Sequence, residues 1–389
     1  MASVGHYRVF ILAGEASGDA LAARLMAGLK EKAPDTEFYG IGGPLMVAQG
    51  LKTLFSMEEL SVMGLFEVLP RLPQLLKRIE QTAAAAREFA PHVFITVDAP
   101  DFSFRVARQL AGSHFPKVHY VAPSVWAWRP GRAKKIAGLY DHLLTLLPFE
   151  PPYFEAVGLP ADFVGHSVIE SGADKGDGPT FRARHGIKPD ENLLMLLPGS
   201  RRGEVSRHLP VFREAVSRLQ GDIDEFRIVV PVIGRAADIV RQETAQWELD
   251  VLVVDGETEK YDAMAASDVA LAASGTVALE LALARLPSVI AYRMNPVTGW
   301  IARRVVKLDY VNLINILLKR EVVPEFLLED CTAANLAGAL GDLFRSEEKR
   351  RQQIVSCGEA MLLLGEGGDA PGERAADIIL KLITRDKTT

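Results

Sequence analysis

The amino-acid sequence predicts an α/β protein with two Rossmann-like, doubly wound domains that face a cleft, followed by a C-terminal helical segment. The 389 residues exceed the size at which a single hydrophobic core usually stops growing. Short β-rich runs that end in Gly, Pro, Ser or Asp recur along the chain, and a helical segment follows each of them. This alternation is typical of parallel βαβ units.

The strand candidates form two series, separated by the Gly- and Asp-rich stretch ESGADKGDGPT, which indicates a linker. The predicted strands are 9–13, 37–40, 93–97, 117–121 and 143–147 in the first series, and 193–197, 227–232, 251–254, 269–272 and 288–292 in the second. We therefore predict domains at 1–169 and 191–345, a linker at 170–190 and a helical segment at 346–389. Ligands of such open sheets bind beyond the carboxyl ends of the strands, so we expect functional residues in the loops there.

Charge and cysteine content exclude several classes of protein. Lys and Arg total 44 against 50 Asp and Glu, a net charge of −6, which argues against broad nucleic-acid binding. Cys331 and Cys357 are far apart and lack metal-ligand spacing, so we expect reduced thiols in a cytoplasmic protein.

No secretory leader is recognisable, and the longest apolar region, 268–292, is interrupted by charged residues and Pro287. We expect no membrane-spanning helix.

The loop AGEASGD after the first predicted strand contains Gly14 and Gly18 but lacks the third glycine of a dinucleotide-binding motif. Glu15 and Asp19 would also repel a pyrophosphate, so we predict no nicotinamide or flavin cofactor. Two interpretations remain open. The loop is either a tight turn with Ser17 as a helix N-cap, or a site where Glu15 binds a hydroxyl-bearing ligand.

The apolar run VFITV ends in DAPDF, which places Asp98 and Asp101 beyond the carboxyl end of a predicted central strand. Asp98 is either a polar strand end or a general base. Asp101, which follows Pro100, is better placed to cap the next helix. Phe102 and Phe104 belong either to the core or to a wall for an apolar ligand.

The motif LPGSRRGEV in the second half suits a phosphate-bearing ligand. Gly199 lets the backbone approach a ligand closely, and Arg201 and Arg202 offer forked donors for phosphate oxygens without a metal. The alternative is a solvated helix start. However, two cations in a first turn oppose the helix dipole, and a bound anion would relieve that conflict.

The second such loop, ASGT, precedes an apolar helix and offers the backbone N–H groups of Gly275 and Thr276 to an anion. Glu280 lies one turn into this helix and either faces solvent or accepts hydrogen bonds from both hydroxyls of a ribose. A diphosphate at these turns and a ribose beside it describe half of a nucleotide sugar. The closely spaced Asp222 and Asp224 lie in a polar turn before a strand, so we predict no metal site.

These motifs together resemble the lipid-A-disaccharide synthase family. They run from the first predicted strand to beyond residue 315, nearly the whole chain, and PSVWAWR is highly specific. The motifs that carry the resemblance are AGEASGD, MGLFEVL, DAPDF, HYVAPSVWAWR, LPFE, GH, LPGSR, ASGT, YRM and DYVNLIN.

The resemblance implies a GT-B-type inverting glycosyltransferase that needs neither a metal nor a cofactor. Its donor would be UDP-2,3-diacylglucosamine and its acceptor 2,3-diacylglucosamine 1-phosphate, known as lipid X. The products would be the β-1′,6-linked lipid A disaccharide 1-phosphate and UDP, in the lipopolysaccharide pathway of Gram-negative bacteria. The family also implies peripheral attachment to the cytosolic face of the inner membrane and homodimers that exchange C-terminal segments.

The matching motifs also imply residue roles. Asp98 would be the general base that takes the proton of the acceptor's 6-hydroxyl. The donor would be bound by Ser200, Arg201, Arg202, Gly275, Thr276, Glu280 and Asn315. The sugar and acceptor side would be formed by Glu15, Ser17, Trp128 and Arg129. For the cluster around Trp128, a plain interface patch is the alternative.

The stretch 61–79, SVMGLFEVLPRLPQLLKRI, mixes apolar residues with Arg71, Lys77 and Arg78 and suits an anionic membrane surface. Pro70 and Pro73 are expected to break a helix here, and an ordinary core-packing helix is the alternative. The residues expected at the membrane or acyl chains are Met63, Leu65, Phe66, Val68 and Leu69.

Two other functions remain open from the sequence. A UDP-N-acetylglucosamine 2-epimerase has two such domains and a UDP site but needs no acyl-chain surface, so the stretch 61–79 and PSVWAWR count against it. The second is a non-catalytic nucleotide-sugar-binding protein at the membrane. The presence of Asp98 together with Arg201 and Glu280 argues against that function.

Overall fold

The computed structural model describes residues 6–60, 65–127, 131–223, 225–232, 234–294 and 309–385. The chain divides into two compact units, Met1–Ser167 with Gly367–Thr389, and Val168–Glu366. Each unit is built on a parallel β-sheet whose strands alternate with helices along the chain, as the sequence predicts.

The strands of the first unit are β1 Arg8–Ala13, β2 Glu37–Ile41, β3 Leu51–Thr53, β4 Val93–Val97, β5 Lys117–Tyr120, β6 His142–Thr145 and β7 Ala161–Phe163. Within the described residues they form a seven-stranded sheet in the order β3-β2-β1-β4-β5-β6-β7. Every pairing is parallel.

The helices between these strands are α1 Ala16–Lys32, α2 Pro44–Ala48, α3 Leu65–Phe89, α4 Pro100–Gln109, α5 Gly131–Ala137 and α6 Pro151–Glu155. Alternate residues of β1 enter different cores. Val9 packs in a cluster with Leu25 of α1, whereas Phe10 packs in a cluster with Ile79 of α3. Because both faces of β1 are covered, its sequence is apolar throughout rather than alternating.

The strands of the second unit are β8 Asn192–Leu197, β9 Phe226–Val232, β10 Val251–Asp255, β11 Val269–Ala273, β12 Ser288–Tyr292 and β13 Glu325–Leu327. In the described part of the chain their order is β10-β9-β8-β11-β12-β13, again with parallel pairings. The helices of this unit are α7 Gly178–Arg184, α8 Arg202–Leu219, α9 Ala237–Thr244, α10 Glu257–Ala266, α11 Val277–Leu283, α12 Leu313–Leu318, α13 Ala333–Arg345 and α14 Glu347–Leu363. Cys331 and Cys357 are buried free thiols.

Strand order reverses at one place in each sheet, and this reversal positions the loops of interest. In the first unit, β1 pairs with β4, with Ala13 beside Val97. In the second unit, β8 pairs with β11, with Leu197 beside Ala272. The loops that leave neighbouring strands at such a switch point run to opposite faces and leave a crevice between them, where doubly wound folds bind ligands.

The final helix, α15 Pro371–Arg385, belongs to the first unit and packs along α1. Ile379 is fully buried in the same cluster as Leu25. The two helix backbones approach closely, because a Cβ on Gly28 would lie 3.0 Å from the carbonyl oxygen of Gly372. The first unit is therefore assembled from both ends of the described chain.

The unit boundaries differ from the predicted domains in two respects. Residues 170–190 are part of the second unit rather than a free linker, because α7 is tied to neighbouring elements of that unit. The backbone N–H of Asp177 donates to the Asp262 carboxylate over 2.8 Å, and Arg182 pairs with Asp268 at 3.0 Å. The predicted C-terminal segment 346–389 is divided, since α14 lies in the second unit and α15 in the first.

Smaller differences concern short strands and prolines. The unpredicted strands β3, β7 and β13 have three residues each and lie at the sheet edges, where a short run carries little periodicity. Helix α3 continues through Pro70 and Pro73, contrary to the predicted break. Its later part buries Ile79 and Ala83 in the core, and this burial opposes the roughly 3 kcal/mol that each helix-interior proline costs. Among the described helices, none combines the length and hydrophobicity needed to cross a bilayer.

Candidate active site

Asp98 immediately follows β4, at the switch point of the first sheet. Its φ is +52° and that of Ala99 is +47°, so two successive non-glycine residues adopt the left-handed conformation. Hydrogen bonds maintain this turn: the Asp98 N–H donates to the Tyr120 carbonyl over 3.0 Å, and the Ser103 hydroxyl donates to the Asp98 carbonyl over 2.8 Å. Strained backbone of this kind is concentrated at functional sites.

The Asp98 side chain is half-buried. Burial raises the pKa of its carboxyl above the ordinary aspartate value, while a hydrogen bond from the Ala99 backbone opposes the shift. A carboxylate with a raised pKa is a stronger proton acceptor than an ordinary aspartate. The geometry and electrostatics at this position are therefore suited to a general base.

The loop after β1 lies against this turn. A Cβ on Gly14 would come within 2.7 Å of the Ala99 Cβ, so only glycine permits the contact. Beside it is a cavity of about 320 Å³. Its lining residues are Gly14, Glu15, Leu60, Leu75, Ile79, Ala99, Pro100, Asp101, Phe102 and Arg105. The structure thus brings the motifs AGEASGD and DAPDF together around a space with apolar walls and charged edges.

Three predicted details of this loop pair differ in the structure. Glu15, not Ser17, is the N-cap of α1, and Ser17 is exposed in its first turn. Asp19 is buried, and its carboxylate accepts backbone N–H bonds at the start of α2, so its role there is structural. Ala99, not Asp101, is the N-cap of α4, and Asp101 lies in the first turn, where the helix dipole favours an acid.

The second cavity, of about 430 Å³, lies at the switch point of the second sheet. Loops that follow β8 and β11 form it together with α10 and α11. Its lining residues are Leu197, Pro198, Gly199, Ser200, Arg201, Glu204, Pro231, Lys260, Ala273, Ser274, Gly275, Thr276, Val277 and Glu280. Five of the residues predicted for donor binding, Ser200, Arg201, Gly275, Thr276 and Glu280, therefore share one cavity.

Arg201 is the N-cap of α8, and 71% of its side chain is exposed. Glu204, in the first turn of α8, lies 3.1 Å from the Arg201 guanidinium and accepts the Arg201 backbone N–H over 3.4 Å. The adverse interaction of the arginines with the helix dipole is therefore partly relieved by Glu204 itself. Gly199 has a φ of +120°, and a Cβ there would lie 2.8 Å from the Glu204 Cβ. Glycine is required for the turn to close.

His208 forms hydrogen bonds that hold the same loop in place. It is fully buried, with Nδ1 2.8 Å from the Pro198 carbonyl oxygen and Nε2 2.9 Å from the Arg293 backbone nitrogen. The Arg293 N–H can only donate, so Nε2 accepts and Nδ1 carries the proton. Burial lowers the pKa of His208, which favours this neutral form. The imidazole ties the loop after β8 to the end of β12.

Glu280 lies in α11 with 18% of its side chain exposed. Its Oε2 is 2.7 Å from the ammonium group of Lys260, and its Oε1 accepts a hydrogen bond from the Tyr261 hydroxyl over 3.4 Å. Both partners come from α10. Glu280 is therefore a fixed carboxylate at the cavity wall rather than a freely solvated one.

The sequence model of one protein family, lipid-A-disaccharide synthetase, matches residues 9–379. The lipid-A-disaccharide synthase of Rhodospirillum centenum is 53% identical over 97% of this chain and 95% of its own length. The chain belongs to the lipid-A-disaccharide synthetase family. A second synthase of that name, from Paramagnetospirillum magneticum, is 48% identical over 97% of this chain and 98% of its own length.

Solved structures identify the fold of this synthetase family member as GT-B. UDP-GlcNAc 2-epimerase from Neisseria meningitidis, bound to UDP-GlcNAc, aligns with a TM-score of 0.62 at 12% identity over 97% of this chain and all of its own. MurG from Acinetobacter baumannii aligns with a TM-score of 0.61, also at 12% identity, over 97% of this chain. At such identity the likeness concerns the fold alone.

Other residues assigned from the resemblance to the synthetase family lie elsewhere. Asn315 is fully buried and is not among the residues that line the cavity, and its contact with the donor stays a prediction. Its side chain bonds the backbone of Val322 and Val323, with all three distances between 2.8 and 3.0 Å. Arg202 begins α8 and is exposed, but it does not line the cavity.

Several expected acceptor and membrane residues fall outside the described part of the chain. These are Met63, Trp128 and Arg129, and the side chains of Leu65, Phe66, Val68 and Leu69. Of the basic residues expected near a membrane, Arg78 is paired with Glu59 at 2.7 Å and lies 4.4 Å from the ring centre of Phe55. It is anchored to its own unit.

Sequence reasoning missed Lys260, Glu204 and His208. His208 carries a weak signal, since it falls on the apolar stripe of α8 between Val205 and Leu209 without an obvious structural partner. Glu204 is visible as an acid three residues after Arg201, the spacing of a helix-capping pair. No pattern in the sequence around Lys260 indicates a functional role, because its partner Glu280 is on another helix.

Proposed function

We propose that the protein is an inverting glycosyltransferase of lipid A biosynthesis that joins UDP-2,3-diacylglucosamine to 2,3-diacylglucosamine 1-phosphate. The observation that carries the proposal is the convergence of Arg201, Thr276 and Glu280 on one cavity, in a chain that belongs to the lipid-A-disaccharide synthetase family. The products are the β-1′,6-linked disaccharide 1-phosphate and UDP.

In the proposed reaction, the acceptor's 6-hydroxyl oxygen attacks the anomeric carbon of the donor while its proton passes to Asp98. The bond between that carbon and the diphosphate oxygen breaks, and the electron pair leaves with UDP. Attack from the face opposite the leaving group inverts the anomeric centre and gives the β-linkage. Arg201 and the backbone N–H groups near Thr276 stabilise the charge that develops on the diphosphate.

The remaining assignments follow the family resemblance. Glu15, supported by its place in the cavity beside Ala99, is assigned to the sugar side together with Ser17. Trp128 and Arg129 are assigned to the acceptor phosphate. The start of α3, with Met63 before it, is assigned to the acyl chains at the cytosolic face of the inner membrane, where the protein acts as a peripheral homodimer.

The decisive experiment incubates the purified full-length protein with both acylated glucosamine substrates and follows UDP release and the disaccharide by mass spectrometry. We expect both products in equal amounts. Asp98→Asn should reduce turnover by about 10²- to 10⁴-fold with UDP affinity retained, whereas Asp35→Asn, an exposed aspartate of the same unit outside the cavity lining, should remain active. Near-normal turnover of the Asp98 variant would refute the base assignment. Conversion of UDP-N-acetylglucosamine to its epimer without disaccharide would refute the proposed function.

Donor binding is tested separately by calorimetry with UDP. Arg201→Ala and Glu280→Gln should each weaken UDP binding by about ten-fold or more, because hydrogen bonds to charged groups contribute ~1.5–3 kcal/mol. Arg202→Ala is the matched control, since Arg202 is exposed outside the cavity lining. Equal affinity in all three variants would contradict this assignment of the donor site.

A further inference from the structure

Lys260 is unusual among the cations that the structure describes in the second unit, since only 8% of it is exposed and it lines the proposed donor cavity. Its ammonium group lies 2.7 Å from Glu280 Oε2 and 4.9 Å from the ring centre of Tyr261. Desolvating an ammonium group is unfavourable unless an anion compensates it. Glu280 supplies that anion.

Glu280 is held from two sides by α10. The ammonium group of Lys260 contacts one carboxylate oxygen, and the Tyr261 hydroxyl donates a hydrogen bond to the other over 3.4 Å. Burial and the Glu280 charge raise the pKa of Tyr261 to about 12, so this hydroxyl keeps its proton at physiological pH. Each carboxylate oxygen has two lone-pair directions, so one remains on each oxygen for a ligand.

We propose that Lys260 and Tyr261 are positioning residues that orient the Glu280 carboxylate so that its remaining lone pairs accept both hydroxyls of the donor ribose. The proposal rests on the function proposed above and adds to it the residues that set ribose specificity. A lone flexible glutamate would lose side-chain entropy when it engaged a diol. The contacts with α10 fix the carboxylate before the nucleotide arrives.

The ammonium group does not serve as a diphosphate ligand in this scheme. Its charge is compensated by Glu280 in a buried contact. The guanidinium of Arg201 contacts Glu204 at 3.1 Å but is 71% exposed at the same cavity, so its other N–H groups are available to phosphate oxygens. The two cations therefore have separate tasks. Arg201 acts on the diphosphate, and Lys260 acts on the ribose through Glu280.

The test compares the binding of UDP and 2′-deoxy-UDP to the full-length protein by calorimetry. We expect the unmodified protein to prefer UDP by about ten-fold, the value of a hydrogen bond to a charged group. Lys260→Met should reduce this preference to about two-fold or less, whereas Lys260→Arg, which keeps a cation beside Glu280, should retain most of it. Adding Glu280→Gln to Lys260→Met should remove no further preference, since the two residues act as a unit.

Two further variants distinguish a positioning role toward Glu280 from a general loss of structure. Tyr261→Phe keeps the ring but removes the donor to Glu280, and it should lower the preference with Lys260 intact. Lys349→Met, at an exposed pair with Asp342 in the same unit, should leave the preference unchanged. Thermal melting checks that each variant is folded. If Lys260→Met does not fold, Tyr261→Phe tests the inference instead.

The outcomes distinguish the inference from the proposed function. If Lys260→Met weakens UDP and 2′-deoxy-UDP equally and the preference persists, Lys260 contacts the diphosphate and the inference is overturned. If the unmodified protein binds both nucleotides equally, the contact between Glu280 and the ribose fails, and the inference with it, while UDP binding still supports the proposed function. If the unmodified protein does not bind UDP, both fail.

Discussion

Asp98, the proposed general base, has a backbone conformation and an environment that oppose stability. Its left-handed backbone and half-buried carboxyl are both unfavourable for an aspartate, and both are imposed by neighbours that belong to other elements. The sequence identifies Asp98 as a candidate because a polar residue follows a buried strand. It does not reveal the strain, because the strain depends on contacts with Tyr120 and Ser103.

The raised pKa of Asp98 has a consequence for the pH dependence of catalysis. The carboxylate is the form that accepts a proton, so kcat/KM should rise with pH as Asp98 ionises. Because burial raises its pKa, this rise should lie above the range of an ordinary aspartate. A pH profile of kcat/KM checks it. Persistence of the same rise in the residual activity of Asp98→Asn would show that another group is responsible.

The same shift predicts the effect of Asp98→Asn on stability. The folded-state pKa exceeds the unfolded one, so the ionised carboxylate opposes folding at pH values above the folded-state pKa. Asn removes this charge and also tolerates the left-handed conformation well. We expect a higher Tm than for the unmodified protein near neutral pH, with a gain that shrinks as pH falls towards about 4. A lower Tm at neutral pH would contradict this expectation.

At the scale of elements, the two sites depend on loops rather than on helices or strands themselves. The strands β1, β4, β8 and β11 are apolar and buried, and their patterns make them predictable. Helix α3 was less predictable, since its two prolines argue against the helix that tertiary packing sustains. Local propensity is a weak guide wherever burial contributes more energy than the backbone preference.

The packing of α15 on α1 provides a prediction at this scale. A Cβ at residue 28 lies 3.0–3.3 Å from the nearest atoms of α15, and the branches of a valine there would come closer still. Gly28→Val should therefore destabilise the first unit by about 1–3 kcal/mol. Gly338→Val is the control, because a Cβ at that exposed helical glycine meets nothing within 4 Å. Urea unfolding curves of both variants compare the effects. Equal stability of the two variants would rule out close packing at Gly28.

At the scale of the whole molecule, the first unit needs residues from both ends of the chain, whereas the second is continuous. The proposed general base and the proposed donor site belong to different units. Loss of the C-terminal residues should therefore affect the unit that carries Asp98, although these residues lie far from it in sequence.

A chain that ends at Glu366 tests this arrangement. Removal of α15 exposes the apolar face of α1 and forfeits the burial of Ile379 and Ile383, about 3–6 kcal/mol at ~1.5–3 kcal/mol each. Hydrogen exchange should become faster in β1 and β4 but remain unchanged in β8 and β11, which serve as the internal control. Unchanged protection of β1 would mean that the first unit does not depend on α15.

The sequence by itself determined the βαβ alternation, the central strands, the loops proposed to carry chemistry and the family. These features depend on residue type, spacing and periodicity within short stretches, so they can be recognised without coordinates. Only the tertiary structure decided that Asn315 bonds the backbone of Val323, that Lys260 meets Glu280, and that α15 joins the first unit. Each of these depends on contacts between residues distant in sequence, and such contacts are specified by how elements pack rather than by any local pattern.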